Sequence, residues 1–574
     1  MSWYSLDNLL LLAGVLMLVA CGQVETGREP ADLVLRGGRV VTVDEGRPEA
    51  EAVAVRDSIL VAVGSNEDIE PLIGPETRVI ELEGRLAIPG LIEGHGHYMS
   101  LGESKTILDL TTVTSWDEIV AMVERAVAQA EPGEWIQGRG WHQEKWVEVP
   151  SPAVDGSPVH TGLSAVSPEN PVILGHASGH AAFANARALE LAGLGSESEN
   201  PPGGELVRDA EGRLTGLLRE KAQSAVRLAY ARSQEERSPE EVEAERRRWI
   251  ELAGQEALSK GITSFQDAGS SFDTIGLFRD LEEEESLPVR LYVMVRGESN
   301  EEMDSRLGDF FMPAEGNDFL TVRSIKRQID GALGAHGAWL LEPYTDMPES
   351  VGLVLEPEDE IRRTAEIAIK HGFQVNTHAI GDRANRRVLD IYQEVFEANG
   401  SPEDLRWRVE HAQHLDPADV GRFAELGVIA AMQGIHCTSD GPWVPERLGD
   451  ERAESGSYLW RSLLDSGAVV TNGTDVPVED IDPLAGFHAS VTRAMVNGEL
   501  FYPEQRMTRE EALKSYTLDN AFAAFEEDLK GSLVEGKLAD ITVLSKDIMT
   551  IPVEELPAAR VDLTIVGGEV RFER

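Results

Sequence analysis

The sequence predicts an α/β fold: an eight-stranded parallel (β/α)₈ barrel, a small sheet domain assembled from both chain ends, and an inserted subdomain. Three observations predict it. Short apolar runs alternate with helical stretches through the middle of the chain, the pattern of βα units. Both ends instead carry closely spaced apolar runs separated by Gly, Asp and Arg-Pro turns, the pattern of antiparallel strands. A chain of 574 residues is also too long for one ordinary core.

Taken in order, residues 1–30 read as a leader and tether. The apolar run 9–20 is too short to span a bilayer and suits the core of a signal peptide. Leu18-Val19-Ala20-Cys21 is similar to a bacterial lipobox, in which Cys21 is acylated and opens the mature chain. On that reading the protein is exported and lipid-anchored, at the periplasmic side or cell surface, and touches the membrane only through the lipid. Residues 1–8 disagree, because they lack Lys and Arg and carry Asp7. An ordinary N-terminal helix or a misassigned start is the competing reading. The chain has two cysteines, Cys21 and Cys437, which excludes a disulfide framework and a cysteine-based zinc site. Cys437 is then a lone thiol, expected to be buried and inert.

Residues 31–86 form the first part of the terminal sheet domain, and residues 530–574 its second part. Between them lie the barrel, 87–500, and a helical connection, 501–529. The candidate barrel strands are 86–92, 262–266, 289–295, 324–329, 373–377, 407–409, 428–432 and 469–472. They number eight, the count that closes a barrel. The gap between the first two is too long for one helix, so residues from about 100 to 250 hold the insert, with an acidic, Arg-rich helix near 234–258.

Chemistry-bearing residues follow the strands. Glu93-Gly94-His95-Gly96-His97 follows the first, Lys326 lies in the fourth with Asp330 beyond it, and His378 ends the fifth. Glu410-His411 ends the sixth and Gly473-Thr474-Asp475 the eighth. Strand C-termini of a barrel face one mouth, so these distant segments converge. His-x-His on a strand puts both imidazoles on one face, because side chains alternate with period two. Imidazoles joined by further N or O ligands suit Zn²⁺ and related divalent cations.

These residues carry a family resemblance. The segment Pro89-Gly90-Leu91-Ile92-Glu93-Gly94-His95-Gly96-His97 resembles the first-strand signature of the amidohydrolase superfamily. Ile325-Lys326 through Gly334, Asn376 through Asp382, Arg408 through Gln413 and Gly473 through Val478 are similar to the branch that includes N-substituted formamide deformylases. Gly536-Lys537-Leu538-Ala539-Asp540 resembles its C-terminal sheet motif. The resemblance runs from about residue 32 to the end and implies a β-sandwich, a distorted TIM barrel and hydrolysis of C–N bonds. It implies His95, His97, His378 and His411 as metal ligands and Asp475 as the catalytic acid/base. Lys326 matches a lysine that is carboxylated in related enzymes and bridges two metals. The other reading of Lys326, an ion pair with Asp330 or Asp475, leaves one metal instead of two. Glu93 departs from the family, which usually has Asp there. His176 through His180 stands where the branch often has Asp before Gly-His.

The ligand set implies a mechanism. A metal such as zinc lowers the pKa of bound water from 15.7 to about 7 and polarises the scissile carbonyl. Asp475 takes the proton and returns it to the leaving nitrogen. His411 or His436 helps to hold the developing oxyanion. Glu410 and Asp382 are candidates to orient the ligand imidazoles. Trp141, His142, Trp146, His180, Trp339 and Trp443 are candidate pocket residues, with core packing as the alternative for each Trp. His336, on a Gly-rich loop after the fourth strand, is a further substrate contact. His142, His160, His371, His414 and His488 read as surface or packing residues.

Acidic residues outnumber basic ones 101 to 52, for a formal charge of −49. Such a field repels nucleic acid and anionic membrane, so the partner is a small-molecule substrate. The acids are spread along the chain, as in a heavily hydrated surface. Ester, lactone or carbamate hydrolysis on the same site is an alternative, and a catalytically inactive, tethered solute-binding protein is another. The presence of Asp475 beside every candidate ligand argues against the binder. Homo-oligomerisation is left open by the sequence.

Overall fold

A computed structural model describes residues 29–574 apart from 144–145, 155, 178, 236 and 315–317, so Cys21 and the leader lie outside the described residues. Eight parallel strands form the central sheet: Leu91–Gly96, Ile262–Ser270, Arg290–Val295, Leu320–Gln328, Gln374–Ala379, Arg408–His411, Ile429–Gln433 and Val470–Gly473. They follow one another in chain order around the sheet. Their apolar runs are buried almost without alternation, as expected of parallel strands covered on both faces. The helices between them carry one apolar stripe each. In Asp382–Ala398, Val388, Leu389, Ile391, Tyr392 and Val395 face the core. Helix Glu358–His371 stops at Gly372, whose φ of 76° is the left-handed cap that glycine allows.

The first predicted strand divides. Leu86–Pro89 pairs antiparallel with Ile541–Leu544 and parallel with Arg39–Val41, so it belongs to the terminal sheet. Leu91–Gly96 alone enters the barrel. Gly90 makes the switch, because a Cβ there would lie 2.2 Å from Thr263 Oγ1. Two sheets built from both chain ends form the flanking domain: one of four strands from the N-terminal region and one of six strands from both ends. A buried ion pair ties this domain to the barrel. Asp540 accepts from Arg290 Nε at 2.8 Å, Arg290 Nη2 at 3.1 Å and the Gly567 amide at 2.8 Å. Asp540 is the last residue of the Gly-Lys-Leu-Ala-Asp motif, and this pairing is its structural task.

The insert is a six-stranded mixed sheet with its own core around Trp116, Trp141, Leu163 and Phe183. The Arg-rich helix expected inside it, Pro239–Ser259, instead packs on the helix Tyr98–Ser104 and the barrel, burying Ile250, Ala253 and Ala257. Ser238 and Glu241 cap its start reciprocally. Among the described residues no helix is long and apolar enough to cross a membrane.

Side chains lock the seam between the first and eighth strands. Asn520 donates from its amide to Ile92 O at 2.9 Å and Asn472 O at 2.8 Å. Glu93 accepts from the Thr474 amide at 2.6 Å and the Thr474 hydroxyl at 2.9 Å. The Asp475 amide donates to His95 O, and the His97 amide to Val476 O, both at 2.7 Å. The seam thus fixes the two motifs that carry His95, His97 and Asp475 against each other.

Candidate metal centre

Four strand ends deliver imidazoles and carboxylates to one point. His95 ends the first strand with its Nδ1 held by the buried carboxylate of Glu410, which turns Nε2 inward. That Nε2 lies 3.3 Å from Lys326 Nζ and 3.7 Å from Asp475 Oδ1. His97 Nε2 lies 3.2 Å from the same carboxylate oxygen. His411 has its Nδ1 fixed by Gln433 Oε1 at 2.8 Å, again leaving Nε2 to face the centre. The rings of His95 and His411 are 4.7 Å apart and those of His378 and His411 4.4 Å. The sequence-predicted His95, His97, Lys326, His378, His411 and Asp475 therefore share one site.

The backbone is bent to achieve this. His411 and Asp475 adopt φ of 74° and 58°, conformations that non-glycine residues rarely hold. Glycines make room on the other side of the seam. A Cβ on Gly473 would lie 2.5 Å from both Glu93 Oε1 and the His95 amide.

Electrostatics suit cation binding. Burial holds His95, His378 and His411 well below the ordinary histidine range, so they are neutral, the form in which an imidazole can bind a cation. Burial works against ionisation of Asp475, but His97 and the surrounding imidazoles hold its carboxyl well below the usual range. Burial lowers the Lys326 ammonium to about 8 and lifts the Glu93 carboxyl to about 8. Three buried atoms here form no hydrogen bond: His436 Nε2, His378 Nε2, which lies 3.5 Å from Asp330 Oδ1, and Asp475 Oδ1, which meets only the His95 and His97 imidazoles. Buried polar atoms left that way are costly unless something else satisfies them. Donor atoms of His95, His97 and Asp475 lie within 4.8 Å of one another, as do those of His411, His436 and Asp475. The donor set fits a divalent cation.

Other expectations resolve differently. Trp141 is a correction: it is 1% exposed in the core of the insert and donates its indole N–H to Leu174 O, so no ring face is open to a ligand. Asp382 orients no imidazole and instead accepts from the Leu341 and Arg383 amides, both at 2.8 Å. Lys326 Nζ faces His95 at 3.3 Å rather than pairing with Asp330 or Asp475, while the charges of Glu410 and Asp475 still act on it. Asp330 is spent on the amides of Trp339, Ile380 and Gly381. His336 is turned to Asp346 at 3.0 Å. His180 Nδ1 sits 3.0 Å from Glu220 and close enough to bear on His378. Glu93 proves to be a seam residue, since its carboxylate meets Thr474 and the His95 amide at 3.2 Å. His436 stacks at 6.3 Å on His411 and has its Nδ1 held by Gln413. Cys437 is buried, and burial pushes its thiol up to about 12. Gln433 and Gln413 were not anticipated. An amide side chain carries no ligand signature, and only the partner imidazole reveals its use.

The family model described as amidohydrolase family matches residues 78–572. Protein LONG AFTER FAR-RED 3 of Arabidopsis thaliana is 35% identical over 555 residues, covering 94% of this chain and 91% of that protein. An N-substituted formamide deformylase of Arthrobacter pascens is 28% identical over 553 residues, covering 95% and 98%. The crystal structure of an uncharacterized metal-dependent hydrolase from Pyrococcus horikoshii superposes with a TM-score of 0.72 at 26% identity, covering 91% of this chain and 99% of that one.

Proposed function

The chain belongs to the amidohydrolase family, and from that premise we propose that it hydrolyses the C–N bond of an amide, formamide or cyclic amide, with Asp475 as acid/base. The observation that carries this is the gathering of His95, His97, His378, His411 and Lys326 in one buried site with Asp475, which meets His95 and His97 and is held ionised. The N-substituted formamide deformylase among the relatives supports the choice of bond.

His95, His97, His378 and His411 would hold one or two cations, with Asp475 beside them, and Lys326, as a carbamate, would add oxygen donors for a second. A neutral amine is the form that takes up carbon dioxide, and burial brings Lys326 within reach of that form at neutral pH. Zinc suits this set of nitrogen and oxygen donors. A cation bound there supplies Lewis acidity to the carbonyl and acidifies a water molecule. The residues do the rest. Asp475 accepts a proton from water and delivers it to the departing nitrogen. Glu410 and Gln433 keep the His95 and His411 rings from turning. His436, with its Nε2 free of any hydrogen bond, is placed to donate to oxygen as the carbonyl carbon becomes tetrahedral.

The test combines metal content with turnover on N-formyl and N-acyl compounds alongside esters and lactones. Turnover of the C–N compounds is expected, with loss of about 10²–10⁴-fold in kcat for Asp475→Asn at unchanged metal content. A metal-loaded protein that cleaves only esters would overturn the bond assignment, and a fully active Asp475→Asn the role of that residue. We also propose export and lipid anchoring through Cys21. Labelled fatty acid should enter the chain and be lost in Cys21→Ser; a chain left unlabelled sinks the anchor.

A further inference from the structure

A cavity of about 270 Å³ lies between the insert and the helix Tyr98–Ser104 that His97 begins. Its walls include Ser100, Glu103, Gln137, Arg139, Arg227 and Tyr230. Two of its lining residues tie it to the segments that carry His97 and Asp475. Ser100 follows His97 by one turn of the helix. Arg139 leans on the loop that carries Asp475, donating from Nε to Pro477 O at 3.3 Å and from Nη2 to Ala177 O at 3.1 Å.

Two arginines line this cavity. Most arginines in this acidic chain pair with carboxylates, but neither Arg139 nor Arg227 forms an ion pair among the described residues. Arg227 spends one donor on Gln223 Oε1 at 3.1 Å. A guanidinium has five N–H donors, so both keep several for a ligand. Arg139 is half-buried and Arg227 reaches solvent, and Glu103 is the one carboxylate among the lining residues, so the guanidinium groups outnumber the anions at this cavity and suit a ligand that brings one. Glu103 is the opposing charge. Burial raises its carboxyl, while Arg227 and Arg139 pull it down. Its presence limits how much negative charge the cavity accepts. A phosphate dianion would meet Glu103, whereas a carboxylate brings one charge to two guanidinium groups.

We infer that this cavity is a subsite for a carboxylate carried by the substrate of the metal centre. The enzyme then prefers amides or formamides of acids whose free carboxylate lies a short chain away from the scissile bond. The inference rests on the hydrolase reading for its context, but its binding test stands apart from turnover.

Two measurements test it. In the first, N-formyl ω-amino acids of increasing length are compared with their methyl esters as substrates. The acid should exceed the ester in kcat/KM by about tenfold or more at the best length, and Arg227→Gln should bring that ratio to within about twofold. In the second, glutarate and its neutral diamide are titrated calorimetrically into metal-loaded protein. Glutarate should bind and the diamide should not. Arg227→Gln should lose glutarate binding, and Arg227→Lys should keep part of it. Thermal unfolding of both variants shows that they are folded. Turnover without charge preference, with glutarate binding indifferent to Arg227, overturns the subsite and leaves the hydrolase intact. Arg227-dependent glutarate binding without any C–N turnover keeps the subsite and removes the hydrolase reading. Failure of both binding and turnover removes both.

Discussion

At the scale of single residues, the site combines groups that are individually unfavourable in a protein interior. Lys326 is buried beside an imidazole, and burial lowers it to about 8. A protonated amine there would repel a cation, so Lys326 is useful only when neutral or carboxylated. Lys326→Ala is expected to lose at least one metal equivalent, read by elemental analysis of dialysed protein. Unchanged stoichiometry would restrict Lys326 to packing. Glu410→Gln keeps the shape but replaces a charged acceptor on His95 Nδ1 with a neutral one, and metal affinity should fall about 10–100-fold in a chelator competition. The imidazoles and Asp475 were legible in the sequence because each follows a strand, and strand ends meet. Gln433, Gln413 and Arg139 were not, because what marks them is a partner brought close only by folding. Trp141 misled for the opposite reason: tryptophan serves cores and pockets alike, and its indole N–H found Leu174 O inside the insert.

At the scale of elements, the run at 86–92 read as one strand for its apolar content, although Pro89-Gly90 inside it is a boundary signal. The division follows from sterics at Thr263, which belongs to the second barrel strand. The other seven strands sit where periodicity placed them, shifted by a few residues at their ends. The eighth strand meets the first through Gly473, where any Cβ presses on Glu93 and the His95 backbone. Gly473→Ala should cost about 1–3 kcal/mol in denaturant unfolding and loosen metal binding with it. A variant as stable as the parent would show that the seam can spread. Asp540 joins two sheets through Arg290, and its removal strands a buried guanidinium. Asp540→Asn should cost about 3–5 kcal/mol. Burial opposes ionisation of Asp540, but Arg290 holds its carboxyl below the ordinary value. Its contribution is therefore present above the unfolded carboxylate pKa of about 3.9 and is lost as pH falls through the lower folded value. The parent should lose stability over that acid range more steeply than Asp540→Asn, and parallel pH profiles would contradict the assignment.

At the scale of the whole molecule, a formal charge of −49 sets a field that no single contact describes. Two effects of salt compete. Exposed Arg–carboxylate pairs such as Arg247–Glu284 at 2.8 Å contribute roughly 0–1 kcal/mol each and would weaken on screening. Their charges sit much closer than the Debye length of about 10 Å at 0.1 M salt, so screening removes little of the attraction. The unpaired acids are spread over the chain, and their mutual repulsion acts mainly across distances that salt does screen. The repulsive term therefore loses more, and Tm should rise by several degrees between about 0.02 and 0.5 M sodium chloride. Sucrose at equal osmolality serves as the uncharged control. The same field bears on substrate capture. It repels an anion until the anion reaches Arg139 and Arg227, so kcat/KM for a carboxylated substrate should climb with salt while that for its methyl ester stays level. A rate for the acid that falls with salt would mean that attraction at the two arginines already dominates the approach, and that the acidic surface lies away from the mouth.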